Sequence, residues 1–458
     1  MSRLFCLVSC FLLTVGSGTV YAFSAYAPQL TERLGLSVKT VSFIGMIGNF
    51  AMAISGPFAG VIIDTRGFLI PIVIGMITGT LGYLILLICY TNIIADVFLL
   101  GTALCLVGVG STFAFGSAVK CAAINFPSMR GSATAITISG YGLSAFAMSI
   151  FVQIAHHLNS FKDIPESELM LKVLLVIPTV LQAIALPTVV KYQKTATPSS
   201  KSNSQILSTI PTTINNGDSE MPRGLKLMKN SLFKLYFVIL GLLSGMGQSY
   251  IYTCGYMVKA LLTTVVQKGS RLSTPEVVFD PELITATQSS QVAVLSLSNC
   301  CGRLVGGLVS DFFNYKLKIR RLNALFLAAG ISAVANGITA HVTEAGSLWV
   351  ATVLTGLFYG MSLGIFPGII SDEFGVDNLS SNWGTIALAP IPISTLLTVR
   401  IGRIFDSHSD SNGICIGGQC FNEAYILNIG LSGLVFILLA FALNTTQDKR
   451  IKEKSLVH

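Results

Sequence analysis

The sequence predicts an all-α membrane protein of twelve transmembrane helices, built as two six-helix halves with both termini in the cytosol. Three observations carry that prediction. Of its 458 residues, 52% are hydrophobic and only 11% are charged, against about 25% charged in soluble domains. Apolar runs long enough to cross a ~30 Å hydrocarbon layer recur along nearly the whole chain. The two halves also repeat each other's polar punctuation.

The runs lie near 4–26, 39–63, 68–90, 94–117, 132–154 and 170–190, then 233–257, 289–310, 323–342, 346–370, 383–404 and 424–443. Short polar or Gly/Pro-marked breaks separate them. The first run, with Arg3 before it, is too long for a secretory signal and has no small-residue cleavage site, so it reads as a retained helix. Of the 29 Lys and Arg, nineteen fall on one side if the N-terminus is cytosolic, seven on the other and three inside spans. That bias sets both ends in the cytosol. It also accounts for the net charge of +8, which therefore does not indicate nucleic-acid binding.

Four segments follow: a first half over 1–191, a Ser/Thr/Asn/Pro-rich linker over 192–231, a second half over 232–445 and a tail over 446–458. The linker is too polar to bury a core and is expected to be a flexible tether. Span one holds "GSGTVYAFS" (Gly16–Ser24) and span seven "GMGQSYIYT" (Gly245–Thr253). Span two ends in Gly60-x-x-x-Asp64 and span eight in Gly307-x-x-x-Asp311. Patterns shared at corresponding places argue for duplication, an arrangement found in transporters whose solute site lies between the repeats.

"GVIIDTRG", Gly60 to Gly67, resembles the loop two-to-three signature of the major facilitator superfamily. The resemblance implies a conformational motif of Gly60, Asp64, Arg66 and Gly67, with Gly307 and Asp311 as its counterpart. The basic residue usual after the aspartate is replaced by Thr65, and the basic pair after the last glycine by Phe68 and Leu69. "SGTVYAFSAYAPQLTERL", "KCAAINFPSMRGSATAITISGYGLSAF" and "DEFGVDNLSSNWGTIA" resemble the nodulin-like branch, in particular its uncharacterised fungal members. That implies the major facilitator fold and, from the fungal look, a vacuolar or plasma membrane.

In span one, Cys10, Thr14, Ser17, Tyr21 and Ser24 recur every three or four residues and so share a face. They line a watery cavity, or they bond backbone and let helices pack closely. Gln248 and Tyr252 stand at the equivalent place in span seven. Lys120, at the inner end of span four, is either a solute-binding cation or an interfacial lysine. Arg403 and Asp406, three apart, suggest a surface pair.

Arg303 stands eight residues before Asp311, about 12 Å along a helix. An arginine at mid-span costs about 2.5–3.5 kcal/mol on the insertion scale and faces a cavity or a partner. The fork of a guanidinium suits a carboxylate bidentately. "RLVGGLVSD" resembles span eight of the monocarboxylate transporters, which implies an anion-binding role for Arg303 and a neutral Asn299 where those proteins use a proton-coupling aspartate. A structural or a gating arginine remains open beside that reading.

No acidic residue or histidine occupies the middle of any span, and proton-driven carriers commonly use such relays. The sequence thus predicts a carrier of a small solute, a monocarboxylate or other organic anion, moved by alternating access of the two halves, with facilitated movement favoured over proton coupling. A transport-fold sensor and a polytopic enzyme are the alternatives. The second lacks any H-E-x-x-H, G-x-S-x-G or phosphate-cradling motif. No cofactor, no metal and no nucleic acid are expected. The expected partners are the lipid bilayer and the solute, and the chain is expected to act as a monomer. Most of the ten cysteines fall in spans as small apolar residues. Cys415 and Cys420 lie in a loop outside the cytosol, where a disulfide persists.

Overall fold

The computed structural model describes residues 2–36, 38–157, 165–196, 223–266, 276–278, 280–409 and 415–455. Its helices are α1 (Ser2–Ser17), α2 (Phe23–Leu34), α3 (Val38–Arg66), α4 (Leu69–Thr91), α5 (Val97–Asn125), α6 (Arg130–His157) and α7 (Glu166–Ala196). They continue as α8 (Ser231–Leu262), α9 (Pro281–Asp311), α10 (Ala324–Thr339), α11 (Ala345–Phe374), α12 (Leu379–Ile386), α13 (Pro390–Ser407) and α14 (Asn422–Ser455). Among the described residues, twelve spans are long and apolar enough to cross a membrane.

Among the described residues, the first and the eleventh spans are each broken between two α-helices. The first passes from α1 through a 3-10 turn, Gly18–Ala22, into α2. The eleventh breaks between α12 and α13, where Pro390 opens the new helix. Proline has no N–H to donate, so it suits a first helical position and not an interior one. The all-α expectation needs one addition. Thr264–Val266 and Glu276–Val278 pair as a short antiparallel ladder between α8 and α9. Both stretches are rich in β-branched residues, which suit extended backbone.

The chain divides into two compact units. One comprises Met1–Ser231, Pro367–Leu388 and Thr446–His458; the other comprises Leu232–Phe366 and Ala389–Thr445. The end of α11 and all of α12 therefore belong with the first half of the sequence. Of the expected linker, 197–222 lie outside the described residues. Its flanks are ordered: α7 runs through Ala196, and Gly224–Lys229 form a 3-10 turn. The Gly224 N–H donates to Asn382 Oδ1 at 3.0 Å, tying that turn to α12.

In the first unit, α1 packs on α6 and α7, and α5 packs on α3 and α4. One apolar cluster gathers Tyr26, Leu30, Tyr83, Leu86 and Met148; another gathers Cys6, Leu13, Ile63, Phe68 and Ala118. The second unit's cluster includes Tyr250, Met257, Leu348, Phe421 and Tyr425. Large apolar side chains also point outward, among them Phe58, Phe146, Leu396 and Ile437. A soluble monomer rarely exposes so much apolar surface; lipid is the solvent for these faces.

Candidate functional site

Asp64 ends α3, and three groups converge on its carboxylate. Lys120 Nζ, from α5, donates to Oδ1 at 2.6 Å. The N–H groups of Ser380 and Ser381 donate to Oδ1 at 3.2 Å and to Oδ2 at 2.8 Å. Ser380 and Ser381 are the second and third residues of α12, whose own N-cap, Asn378, makes no side-chain cap bond. The first N–H groups of a helix have no partner inside it. Asp64 thus caps α12 from another helix, with its negative charge at the positive end of the helix dipole.

Lys120 completes the cluster by donating to the Asp377 carbonyl at 2.6 Å. The side chains of Lys120 and Asp64 are 8% and 1% exposed. The Lys120 ammonium is thus held by Asp64 and the Asp377 carbonyl. It also supplies what Thr65 lacks: the brace has its cation, delivered from span four. Arg66 is exposed, and Thr65 Oγ1 bonds back to the Val61 carbonyl at 2.7 Å.

Gly60 and Gly67 hold this corner for different reasons. A side chain on Gly60 would run into the backbone of Ser380 and Ser381, so only glycine lets α3 and α12 approach this closely. Gly67 has φ +78°, a region that favours glycine, and the amide of Gln193 lies over it. Gln193 Oε1 accepts from the Phe68 N–H at 2.8 Å. Nearby, Arg130 Nη1 stands 3.4 Å from Asp372 Oδ1, both about a quarter to a third exposed.

The counterpart in the second unit is wired differently. Asp311 pairs with Arg321, only ten residues on and buried with it. Arg321 also donates to Ser310 Oγ at 3.2 Å, and its guanidinium stacks over Tyr315 with Cζ 5.4 Å from the ring centre. Gly307 is buried, and its carbonyl accepts from Ser310 Oγ at 2.9 Å.

Arg303 lies inside α9 and is 1% exposed, the largest of the fully buried side chains. Its Nε donates to Asn299 Oδ1, one turn earlier, at 3.2 Å. That bond fixes one edge of the guanidinium with a neutral group. The facing helix, α11, presents Gly360 and Gly364, whose missing side chains leave room for the backbone of Asn299 and Arg303.

Within the same unit, Gln248 is half-buried and Tyr252 is 47% exposed. The buried polar path is one the sequence reading did not pick out: Tyr250 Oη bonds Thr352 Oγ1 at 2.7 Å, and Thr352 Oγ1 donates to Gln291 Oε1. Their wide sequence separation hides that path from any local pattern.

Two hydroxyls of the span-one stripe bond backbone. Thr14 Oγ1 bonds the Thr137 carbonyl of α6 at 2.6 Å, and Ser17 Oγ bonds the Thr14 carbonyl at 3.0 Å. Thr14, Ser17 and Cys10 are buried. Tyr21 is 36% exposed, with its ring edge-on to Tyr141 at 5.2 Å. The side chain of Ser24 lies outside the described residues. A small polar void in the first unit is bordered by Ser17, Thr80, Tyr83, Thr179 and Gln182. Gln182 Nε2 there donates to the Gly16 carbonyl at 3.0 Å.

In the second unit Cys415 and Cys420 are joined as a disulfide. Arg400 and Arg403 are exposed, and among the described residues Arg403 makes no ion pair with Asp406, contrary to the expected surface pair.

Residues 3–215 match the Nodulin-like family model, and residues 282–452 match the NFD4 C-terminal domain. An uncharacterised membrane protein of Saccharomyces cerevisiae is 26% identical over 93% of this chain and 92% of its own length. The probable transporter MCH1 of Candida albicans is 21% identical over 95% of this chain and 90% of its own. Among solved structures, the major facilitator transporter FucP in its outward conformation superposes with a TM-score of 0.60 at 14% identity, covering 95% of this chain and 97% of that one. A bacterial homologue of the iron transporter ferroportin gives 0.59 at 11%, covering 97% and 100%. The fold is that of the major facilitator transporters.

Proposed function

We propose, for a transporter of the major facilitator type with a Nodulin-like first half and an NFD4-type second half, that the solute is a small organic anion of the monocarboxylate class. Arg303 is the group that binds it. The halves, 1–191 and 232–445, alternate in opening the site to the two sides, with both termini in the cytosol. The observation that carries the reading is the guanidinium itself: a fixed positive charge, 1% exposed, in the interior of a span. A buried arginine in a span is costly, and such residues mark solute and ion pathways.

The bond to Asn299 supports the reading in a second way. Asn299 is neutral and orients the fork through Nε, and a guanidinium fork suits a carboxylate bidentately. With no carboxylate at that position to carry a proton, movement down a gradient is favoured over proton coupling.

Uptake of labelled monocarboxylates into vesicles containing the purified chain tests this. Arg303→Gln removes a charged hydrogen bond of about 1.5–3 kcal/mol, which is ten- to hundredfold in solute affinity. Uptake is expected to fall by at least tenfold while the protein stays monodisperse. Unchanged flux with every anion tested sinks the reading. Saturable binding without flux in the unmutated chain makes it a sensor.

A further inference from the structure

Three thiols meet at the packing of α1 on α5. Cys6 and Cys10 lie one turn apart on α1, and Cys121 lies in the last turns of α5. All three side chains are 0% exposed, and their sulfurs lie within 4.8 Å of one another. Cys6 Sγ and Cys121 Sγ are 3.7 Å apart. The sequence treats these residues as small apolar packers, and at 115 residues' separation nothing local announces that they meet.

We propose that Cys6, Cys10 and Cys121 form a binding site for one monovalent copper ion. Thiolates are soft ligands that select copper(I), zinc or iron–sulfur clusters. With metal–sulfur bonds of about 2.3 Å, a three-coordinate ion holds its sulfurs about 4.0 Å apart. The 3.7 Å between Cys6 and Cys121 and the 4.8 Å limit on all three sulfurs are close to that value, so small rotamer shifts close the site. Zinc requires a fourth ligand, and among the described residues no histidine or carboxylate joins the group. Copper(I) accepts three sulfurs alone.

A polar side chain reaches the group. Asn125 Nδ2 lies 3.6 Å from Cys121 Sγ and so donates toward the sulfur, while also bonding the Cys121 carbonyl at 2.8 Å. Each sulfur that bonds the ion releases its proton to solvent, and no electron moves. Cys121 directly follows Lys120 in the brace on Asp64. An ion held here therefore pins the first turns of α1 to the helix segment that carries the brace's cation.

The test uses the full chain purified in detergent without reductant, so that the Cys415–Cys420 disulfide stays closed. Copper(I) is supplied anaerobically as its bicinchoninate complex. One equivalent is expected to pass to the protein, and its copper K-edge spectrum is expected to show three sulfur neighbours. Cys10→Ser is expected to weaken retention at least tenfold, and Cys301→Ser, an exposed thiol on α9, is expected to leave it unchanged. Copper left with the chelator, or equal retention by the Cys6→Ser/Cys10→Ser/Cys121→Ser chain, overturns the site. Two sulfurs with lighter neighbours overturn it as well, and that spectrum decides the matter on the unmutated chain if the triple variant does not fold. Zinc retained in preference, with a light fourth ligand, overturns the choice of ion.

Discussion

Replacing Lys120 by methionine tests whether the Asp64 cluster holds the first unit together. The methionine keeps most of the aliphatic stem and removes the ammonium, so packing changes little. Both partners are almost fully buried, at 8% and 1% exposure, so solvent screens the pair weakly. Breaking a buried pair by removing one partner costs about 3–5 kcal/mol. Asp64 keeps its two bonds from the Ser380 and Ser381 N–H groups, which places the expected loss near the lower end, about 3 kcal/mol. That is about two decades in the unfolding equilibrium constant. Asp64→Asn removes the charge and leaves an amide nitrogen facing a backbone donor, so it is expected to lose a similar amount. The double variant is expected to cost less than the sum by about 2 kcal/mol, since partners in one network couple by 0.5–3 kcal/mol. Equilibrium unfolding in mixed micelles of all four chains measures the cycle. Losses that add to within ~0.5 kcal/mol refute the brace as the reason for these two residues.

Other expectations rest on single contacts. Gly60→Ala puts a side chain into the backbone of Ser380 and Ser381 and is expected to abolish the monodisperse peak on gel filtration, whereas Gly79→Ala, beside which a Cβ meets nothing within 4 Å, is expected to keep it. Thr14→Val removes the bond to the Thr137 carbonyl and is expected to lower stability by about 1 kcal/mol with uptake preserved; lost uptake at full stability would favour the cavity reading of span one. A membrane-impermeant maleimide is expected to label Cys415 and Cys420 only after reduction, because the disulfide withholds both thiols; labelling beforehand counts against it.

The spans were legible because lipid imposes one simple requirement, about twenty apolar residues per crossing. What composition could not convey is where a span stops being one helix. The break at Pro390 has a visible cause, and the 3-10 turn at Gly18–Ala22 has a softer one in Gly16 before it and Gly18 at its start. The motif around Asp64 was legible as a motif but not as a mechanism. Its aspartate, glycines and missing basic residues can be read from a single stretch, whereas its cation sits 56 residues away and its helix cap 316 and 317 residues away. Arg303 is legible from sequence because a charge in an apolar run stands out by itself. The Tyr250–Thr352–Gln291 path and the three thiols were not found, since a hydroxyl or thiol inside a span is ordinary until two helices bring it to another.

The matching motifs of the two halves sit in different surroundings. Asp64 and Asp311 hold equivalent places, yet one caps a helix far along the chain and the other satisfies an arginine ten residues away. An aspartate that caps a remote helix makes that contact sensitive to any movement of either element; one that pairs locally keeps its charge satisfied whatever the rest of the chain does. Tyr21 and Tyr250 diverge in the same manner, the first 36% exposed beside a broken helix, the second 1% exposed within a continuous one. The residue eight before Asp64 is Gly56, where a side chain would meet the Gly384 carbonyl at 2.9 Å; eight before Asp311 stands Arg303. One repeat spends this position on close packing and the other on a charge, so the pair cannot be exchanged. Arginine at 56 would push α3 off α12, and glycine at 303 would keep the fold's room for α11 while removing the guanidinium. Arg303→Gly also empties the space of one of the largest fully buried side chains, so a cavity cost adds to the about 1 kcal/mol of helix propensity. Arg303→Gln, which keeps most of the stem, is the variant in which binding and packing separate more cleanly, and it is expected to lose the anion-dependent uptake.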